Sequence, residues 1–217
     1  MPKISPGTAR LPGRQNQAAR NDAVILAAAR DVFLDDPKAP IAAVAERAGV
    51  GISALYRRYP SKEDLLRRIC HEGLLRYIAE AEAATAEPDS WAALADLLHR
   101  IVDADVHSLT VHLAGTFTPT EAMGVDAQRA NELATAIFAR AAAGGRLRPD
   151  AVVEDLGWVL EACAAIRVPD AERTKELRRR HLALQLDGLR RAEVDDLPGP
   201  PPTAEDLEWR WQRRIGS

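Results

Sequence analysis

The chain has 217 residues, 47% apolar and 28% charged, enough for one mid-sized or two small soluble domains. Its apolar residues are mostly Ala, Leu, Val and Ile at helical spacing, with few aromatics and no long β-branched alternation, so the predicted fold class is all-α with about nine helices. No charged-then-apolar leader and no run of about 18 apolar residues occurs, and Cys70 and Cys163 lie far apart, which predicts a cytoplasmic protein with reduced thiols and no membrane partner.

The net charge of −3 conceals an asymmetry. Residues 1–68 carry 12 Lys/Arg against 7 Asp/Glu, whereas residues 69–217 carry 17 against 25. A basic N-terminal third on an acidic body is suited to one face that meets a polyanion. Residues 1–18 hold three prolines and two glycines with Lys3, Arg10 and Arg14, and read as a disordered basic arm, either inert or able to follow a DNA backbone. A first helix is expected from near Asn21 to Asp35, with Val24, Ala28, Val32, Ile25, Ala29 and Phe33 as a wide apolar stripe, and Asp36-Pro37 closes it.

Pro40 opens a second helix that runs to Ala48, and Gly49 supplies the positive φ at which the chain swings into a third, from Gly51 to Arg58. Val44, Ala45, Ala48, Val50 and Leu55 face inward, while Ser53, Ala54, Tyr56, Arg57 and Arg58 lie on or near the outside. Two short helices, a tight turn and a basic second helix are the pattern of a helix-turn-helix DNA reader. Pro60 ends it, and Ser61-Lys62-Glu63-Asp64 is a capping-box-like start for a fourth helix whose first turn, with Lys62, can hold a phosphate.

That helix is expected to reach Glu87-Pro88. A fifth, capped by Asp89 or Ser90, continues to Leu113, a sixth spans Val125 to Ala143, and Gly144-Gly145 terminates it. Asp150 is the expected cap of the next helix, with Val152, Leu156, Val159, Leu160, Cys163 and Ile166 on one stripe and Trp158 and Ala162 on another. The helix from Ala171 to Ala192 shows Leu182, Leu186 and Leu189 on one side and Leu177 and Leu184 on another. Two apolar sides imply a partner, either a second copy of the chain or the C-terminal segment 197–213 with Trp209 and Trp211. Leu156, Leu160, Leu182, Leu186 and Leu189 are assigned to a homodimer interface.

The stretch Val24–Leu66 resembles the N-terminal domain of TetR-type transcriptional regulators. The resemblance rests on the helix ending in Phe33, on Val44-Ala45-Glu46-Arg47-Ala48-Gly49-Val50, and on Leu55-Tyr56-Arg57-Arg58-Tyr59-Pro60-Ser61-Lys62-Glu63-Asp64-Leu65-Leu66. It implies a three-helix DNA-binding domain at 19–66, an all-helical effector-binding and dimerisation domain at 67–195, and leaves 196–217 as a Pro-rich tail. Segments 146–150 and 179–190 look like those of actinobacterial members. Carried over by position, Ser53, Ala54, Tyr56, Arg57 and Arg58 face the major groove, Gly51, Ile52 and Ser53 form the tip, and Lys62 meets a phosphate. Tyr59 is read as core. Gly51 and Ser53 replace the usual serine and threonine of the recognition helix, and Pro40-Ile41-Ala42 replaces the usual threonine start of the second helix.

Effector residues are less legible. His99, Asp103 and His107 fall at i, i+4 and i+8, where they can face a ligand or form an exposed ion pair; without a further ligand, no metal site is assigned. Phe117, Met123, Phe138, Trp158 and Cys163 are candidates for an apolar pocket, with core packing as the alternative for each. No cofactor is expected. Catalysis is not expected either: His71-Glu72 lacks a second histidine, no G-x-S-x-G occurs, and Gly144-Gly145 is too short for a phosphate loop. The expected function is a ligand-responsive, homodimeric repressor released from a palindromic double-stranded DNA operator by a small-molecule effector. The alternative is a helical small-molecule or partner-binding protein with vestigial DNA binding, and a remote third is an enzyme built on His99, Asp103 and His107.

Overall fold

The computed structural model describes residues 12–190, 195–208 and 211, the side chains of 12–19 excepted. Its elements are α1 (Pro12–Asp35), α2 (Ile41–Ala48), α3 (Ile52–Arg58), α4 (Lys62–Ala84), α5 (Ser90–Asp103), α6 (Val106–Leu113), α7 (Glu121–Ala143), α8 (Val153–Ala165), α9 (Ala171–Leu189) and α10 (Ala204–Glu208). Among the described residues the fold is all-α, with a single isolated antiparallel bridge between Leu147 and Arg190. The chain divides into two compact units between Leu65 and Leu66.

In the first unit α1 buries Ile25, Ala28, Ala29 and Phe33 against Ile41, Val44 and Ala45 of α2, with Leu55 of α3 and Leu65 completing the core. Each large side chain in such a core contributes roughly 1.5–3 kcal/mol by leaving water. Val24, placed on the apolar stripe by spacing, is exposed. α1 begins at Pro12 rather than near Asn21, so helix replaces the expected disorder over 12–18; residues 1–11 of the arm lie outside the described part. Gly49 ends α2 in the left-handed region at φ 64°, and the Val50 N–H donates to the Ala45 carbonyl at 3.0 Å. A Cβ-bearing residue would be strained in that turn. Ser61 caps α4 reciprocally: its hydroxyl accepts from the Asp64 N–H at 3.1 Å and donates to the Asp64 carboxylate at 2.7 Å.

The second unit is built on α5, whose Leu94, Leu97, Leu98 and Ile101 are fully buried against α7, α8 and α9. Asp89 starts it by accepting from the Ala92 N–H at 2.9 Å. The single helix expected from 90 to 113 is broken into α5 and α6 at Ala104-Asp105, where Asp105 sits at φ 50°. Aspartate is among the few non-glycine residues that tolerate this region. Its carboxylate accepts from the Arg178 guanidinium at 2.6 Å and from the Ser108 hydroxyl. Arg178, 6% exposed, also donates to the carbonyls of Ile166 (3.0 Å) and Ala164 (3.2 Å), satisfying acceptors left open where α8 stops.

Three further expectations change. α7 starts at Glu121, capped by Thr120, because Gly124 stays helical. α8 is capped not by Asp150 but by Asp155, which accepts from the Val152 N–H at 2.8 Å; Asp150 instead pairs with Arg148 at 2.6 Å. The five leucines assigned to a dimer interface, Leu156, Leu160, Leu182, Leu186 and Leu189, are all buried in the core of their own chain. On α9 they continue a stripe through Thr174 and Arg178, both buried, so the inward face is partly polar and the period alone did not single it out. On α8 and α9 the large apolar side chains left outward are Trp158, 38% exposed, and Leu184, 60% exposed.

Candidate functional site

α3 presents a small outward face. Gly51, Ile52, Ser53, Tyr56 and Arg57 are exposed, Tyr56 to 47%, while Leu55 is fully buried and Ala54 half-buried. Leu55 anchors the helix, so the two residues that follow it necessarily project into solvent. Gly51 precedes the helix in extended conformation and offers no side chain to cap it. The first-turn N–H groups of α3 therefore have no side-chain cap.

The cations around α3 are not equivalent. Arg58 forms a bidentate pair with Asp22 of α1, at 2.8 and 2.9 Å, and the Tyr59 hydroxyl donates to the same carboxylate at 2.6 Å. The Asp22 carboxylate raises the Arg58 pKa, and burial, followed by the hydrogen bond to Asp22, pushes the Tyr59 hydroxyl up to about 12. Tyr59 is core, as its sequence position suggested. Lys62 turns back onto the α1–α2 connection, donating to the carbonyls of Pro37 (2.9 Å) and Ala39 (2.7 Å) with its ammonium 4.9 Å from the Phe33 ring centroid. Burial lowers its pKa, against an opposing effect of Asp36. Lys62 is thus turned onto backbone carbonyls inside the unit rather than toward a phosphate, whereas Arg58 ties α3 to α1 at the surface, its side chain still 60% exposed. Among the described residues Arg57 makes no ion pair, and with Tyr56, Ser53 and the Asp22-paired Arg58 it makes up the outward polar set. Asp22 escaped sequence reasoning, because nothing local marks an acceptor for a side chain 36 residues away.

The second unit holds a cavity of about 790 Å³ bounded by α4, α6, α7, α8 and α10. Of the residues predicted to face an effector, only His107 lines it. The break between α5 and α6 removes the common face argued for His99, Asp103 and His107, and Asp103 is exposed and paired with Arg179 at 2.6 Å. Among the described residues no three His, Cys, Asp or Glu side chains gather into a metal site. Phe117 is buried edge-on against Trp211 at 5.8 Å, Met123 is buried elsewhere, Phe138 packs on the core, and Trp158 faces outward. Cys163 lines a separate hollow of about 10 Å³ beside Arg178 and not the large cavity, and burial pushes its thiol up to about 11, which disfavours the thiolate. The cavity walls instead carry Leu74, Tyr77, Thr110, Asn131 and small residues such as Ala127, Ala130 and Ala134.

Residues 25–69, which contain the whole α2–turn–α3 arrangement, match the model of bacterial regulatory proteins of the tetR family. A TetR transcriptional regulator from Streptomyces coelicolor is 28% identical, with a TM-score of 0.54 over 78% of this chain and 98% of that one. Residues 25–69 carry the tetR-family regulatory domain. The chain also has the fold of a TetR family transcriptional regulator from Thermus thermophilus (21% identical, TM-score 0.58, 77% of this chain and 99% of that one). A third similar fold is a TetR-like transcriptional regulator from Mycobacterium smegmatis, solved in complex with proflavine (23% identical, TM-score 0.52, 77% and 96%). No curated protein matches the chain. Regulators of this family are DNA-binding transcriptional regulators, often ligand-responsive, and the matched residues of this chain contain α2 and α3 in a helix-turn-helix arrangement. No helix of the described residues is long and apolar enough to cross a membrane.

Proposed function

We propose that this regulator is a cytoplasmic homodimeric repressor that leaves a palindromic operator when a small molecule occupies the body. The observation that carries the DNA half is the outward face of α3, where Ser53, Tyr56 and Arg57 project from a helix anchored by Leu55. Gly51, Ile52 and Ala54 complete the surface that enters the major groove, with Arg57 reading a base edge or a phosphate. Dimerisation is supported by the outward apolar side chains of α8 and α9, Trp158 and Leu184, to which the exposed Ala162 and half-buried Leu177 belong. Two copies then offer two readers to half-sites one helical turn apart. The domain boundaries that go with this reading are a DNA-binding part at 19–66, an effector and dimerisation part at 67–195 and a tail from 196.

The effector half rests on the cavity. By linkage, a ligand that weakens operator binding is itself weakened by the operator to the same factor. A mobility-shift titration with the DNA upstream of the protein's own gene, run at several salt concentrations, tests the DNA half: sequence-selective binding well above the non-specific background is expected. Binding that never rises above that background sinks it.

A second reading, a helical ligand-binding protein with vestigial DNA affinity, is favoured by one observation: Lys62 is committed to backbone carbonyls of its own unit and Arg58 is paired with Asp22, which thins the phosphate grip. The same titration separates the two.

A further inference from the structure

We propose that the cavity of the second unit takes a lipophilic organic cation, held between the body and the C-terminal helix α10, with Glu154 and Glu208 facing its charge. This inference rests on the reading of that cavity as the effector site and adds the chemical class of the ligand. At about 790 Å³ the space suits a drug-sized molecule. Its walls are mainly apolar, with Leu74, Val106, Leu156, Leu160 and Leu207 giving a lipophilic ligand its contact area. Among the described lining residues the permanently charged ones are Glu154 and Glu208, and no lysine or arginine joins them. Neither carboxylate is taken by an ion pair among the described residues. Among the described lining residues an anion would lose water, meet like charge and find His107 as the one side chain able to become cationic. A cation meets opposite charge and the face of Tyr77, whose hydroxyl is pushed up to about 12 by burial and therefore stays neutral.

The second carboxylate comes from α10, which makes the tail part of the site. The tail is fastened where the Leu197 N–H donates to the Asp150 carboxylate at 2.7 Å and Arg148 donates to the Asp195 carbonyl at 3.0 Å. Thr203 then starts α10, its N–H and hydroxyl both donating to Asp206, at 2.8 and 2.9 Å. Leu207 lies on α8 at Gly157, where a Cβ would come within 2.7 Å of the leucine Cδ1. Glycine at that position is what allows α10 to seat, with Ala204, Leu207 and Glu208 forming one wall of the cavity.

The test uses the full chain and two probes of one shape and opposite charge, tetraphenylphosphonium and tetraphenylborate, titrated calorimetrically. The phosphonium is expected to bind at least about tenfold more tightly than the borate, a preference within reach of two partly exposed carboxylates. Glu208→Gln, on an exposed short helix that the core does not need, is expected to reduce the preference by about threefold, and Glu154→Gln with Glu208→Gln to abolish it. Gly157→Leu, which unseats α10, is expected to weaken the phosphonium by about tenfold without lowering the thermal midpoint by more than a few degrees. Equal binding of the two ions, preference for the borate, or no binding of either overturns the proposal. Operator binding measured on the same protein keeps the two readings apart. Operator binding without a cation preference sinks this inference alone, whereas a cation preference without operator binding sinks the regulator reading alone.

Discussion

An arginine–aspartate pair stands at a critical place in each unit, and the two do different work. In the first unit Arg58 reaches Asp22 from a largely exposed position, its side chain 60% exposed, and ties α3 to α1. In the second, Arg178 is buried, and through Asp105, Ile166 and Ala164 it holds the α5–α6 break and the end of α8 at once. Burial sets the difference. An exposed pair is screened and worth little, whereas a buried guanidinium deprived of partners leaves a charge out of water.

This comparison can be broken most directly at its stronger end. Arg178→Ala takes from the Asp105 carboxylate its charged partner and from two helix-end carbonyls their guanidinium donor, and should cost about 3 kcal/mol, measured as a shift of the urea midpoint. A loss under about 1 kcal/mol would mean the network is dispensable. Gly49→Ala places a Cβ at φ 64° and should cost about 1–2 kcal/mol, felt in the first unit. Asp22→Asn removes the exposed clamp and should cost less than about 1 kcal/mol while loosening α3, seen as faster amide exchange at Leu55 and Tyr59.

The smallest effect is a pH window at the tail anchor. The hydrogen bond from Arg148, followed by that from the Leu197 N–H, holds the Asp150 carboxylate down to about 2, below its ordinary 3.8. A depressed carboxylate stabilises the fold above its unfolded-state value and loses that contribution as pH falls through its folded one. The Asp150 part of stability is therefore full above about pH 4 and vanishes toward pH 2. Asp150→Asn should lack this window in an acid titration of stability.

The two units also differ in how far the sequence disclosed them. The reader was legible because its signals are local: Gly49 must take positive φ, Pro60 must stop a helix, and Ser61 with Asp64 must cap the next. The break at Ala104-Asp105 was not, since no glycine or proline marks it and its cause, Arg178, lies 73 residues away. The cavity was misread for a related reason. Aromatic and sulfur side chains were chosen as its lining, yet large side chains fill space, and the room was left where Gly73, Ala127, Ala130 and Ala134 are small. On α8 and α9 the period revealed two apolar faces but not which one the chain keeps for itself. Buried Thr174 and Arg178 disguised the inward face of α9, and leucines that the chain buries in its own core were assigned to an interface.

The central claim is that the outward residues of α3, and not its clamped ones, read DNA. One mobility-shift series decides it: wild type, Arg57→Ala and Lys62→Met on the protein's own upstream DNA across a range of salt. Arg57→Ala should weaken specific binding by about tenfold or more, in keeping with roughly 1–3 kcal/mol for an arginine contact to a base edge, while circular dichroism and thermal midpoint stay unchanged. Lys62→Met, measured with the fold verified, should leave the salt slope of binding unaltered, because that ammonium is occupied by the Pro37 and Ala39 carbonyls. Binding unaffected by Arg57→Ala, with a salt slope that falls by about one on Lys62→Met, would contradict the account.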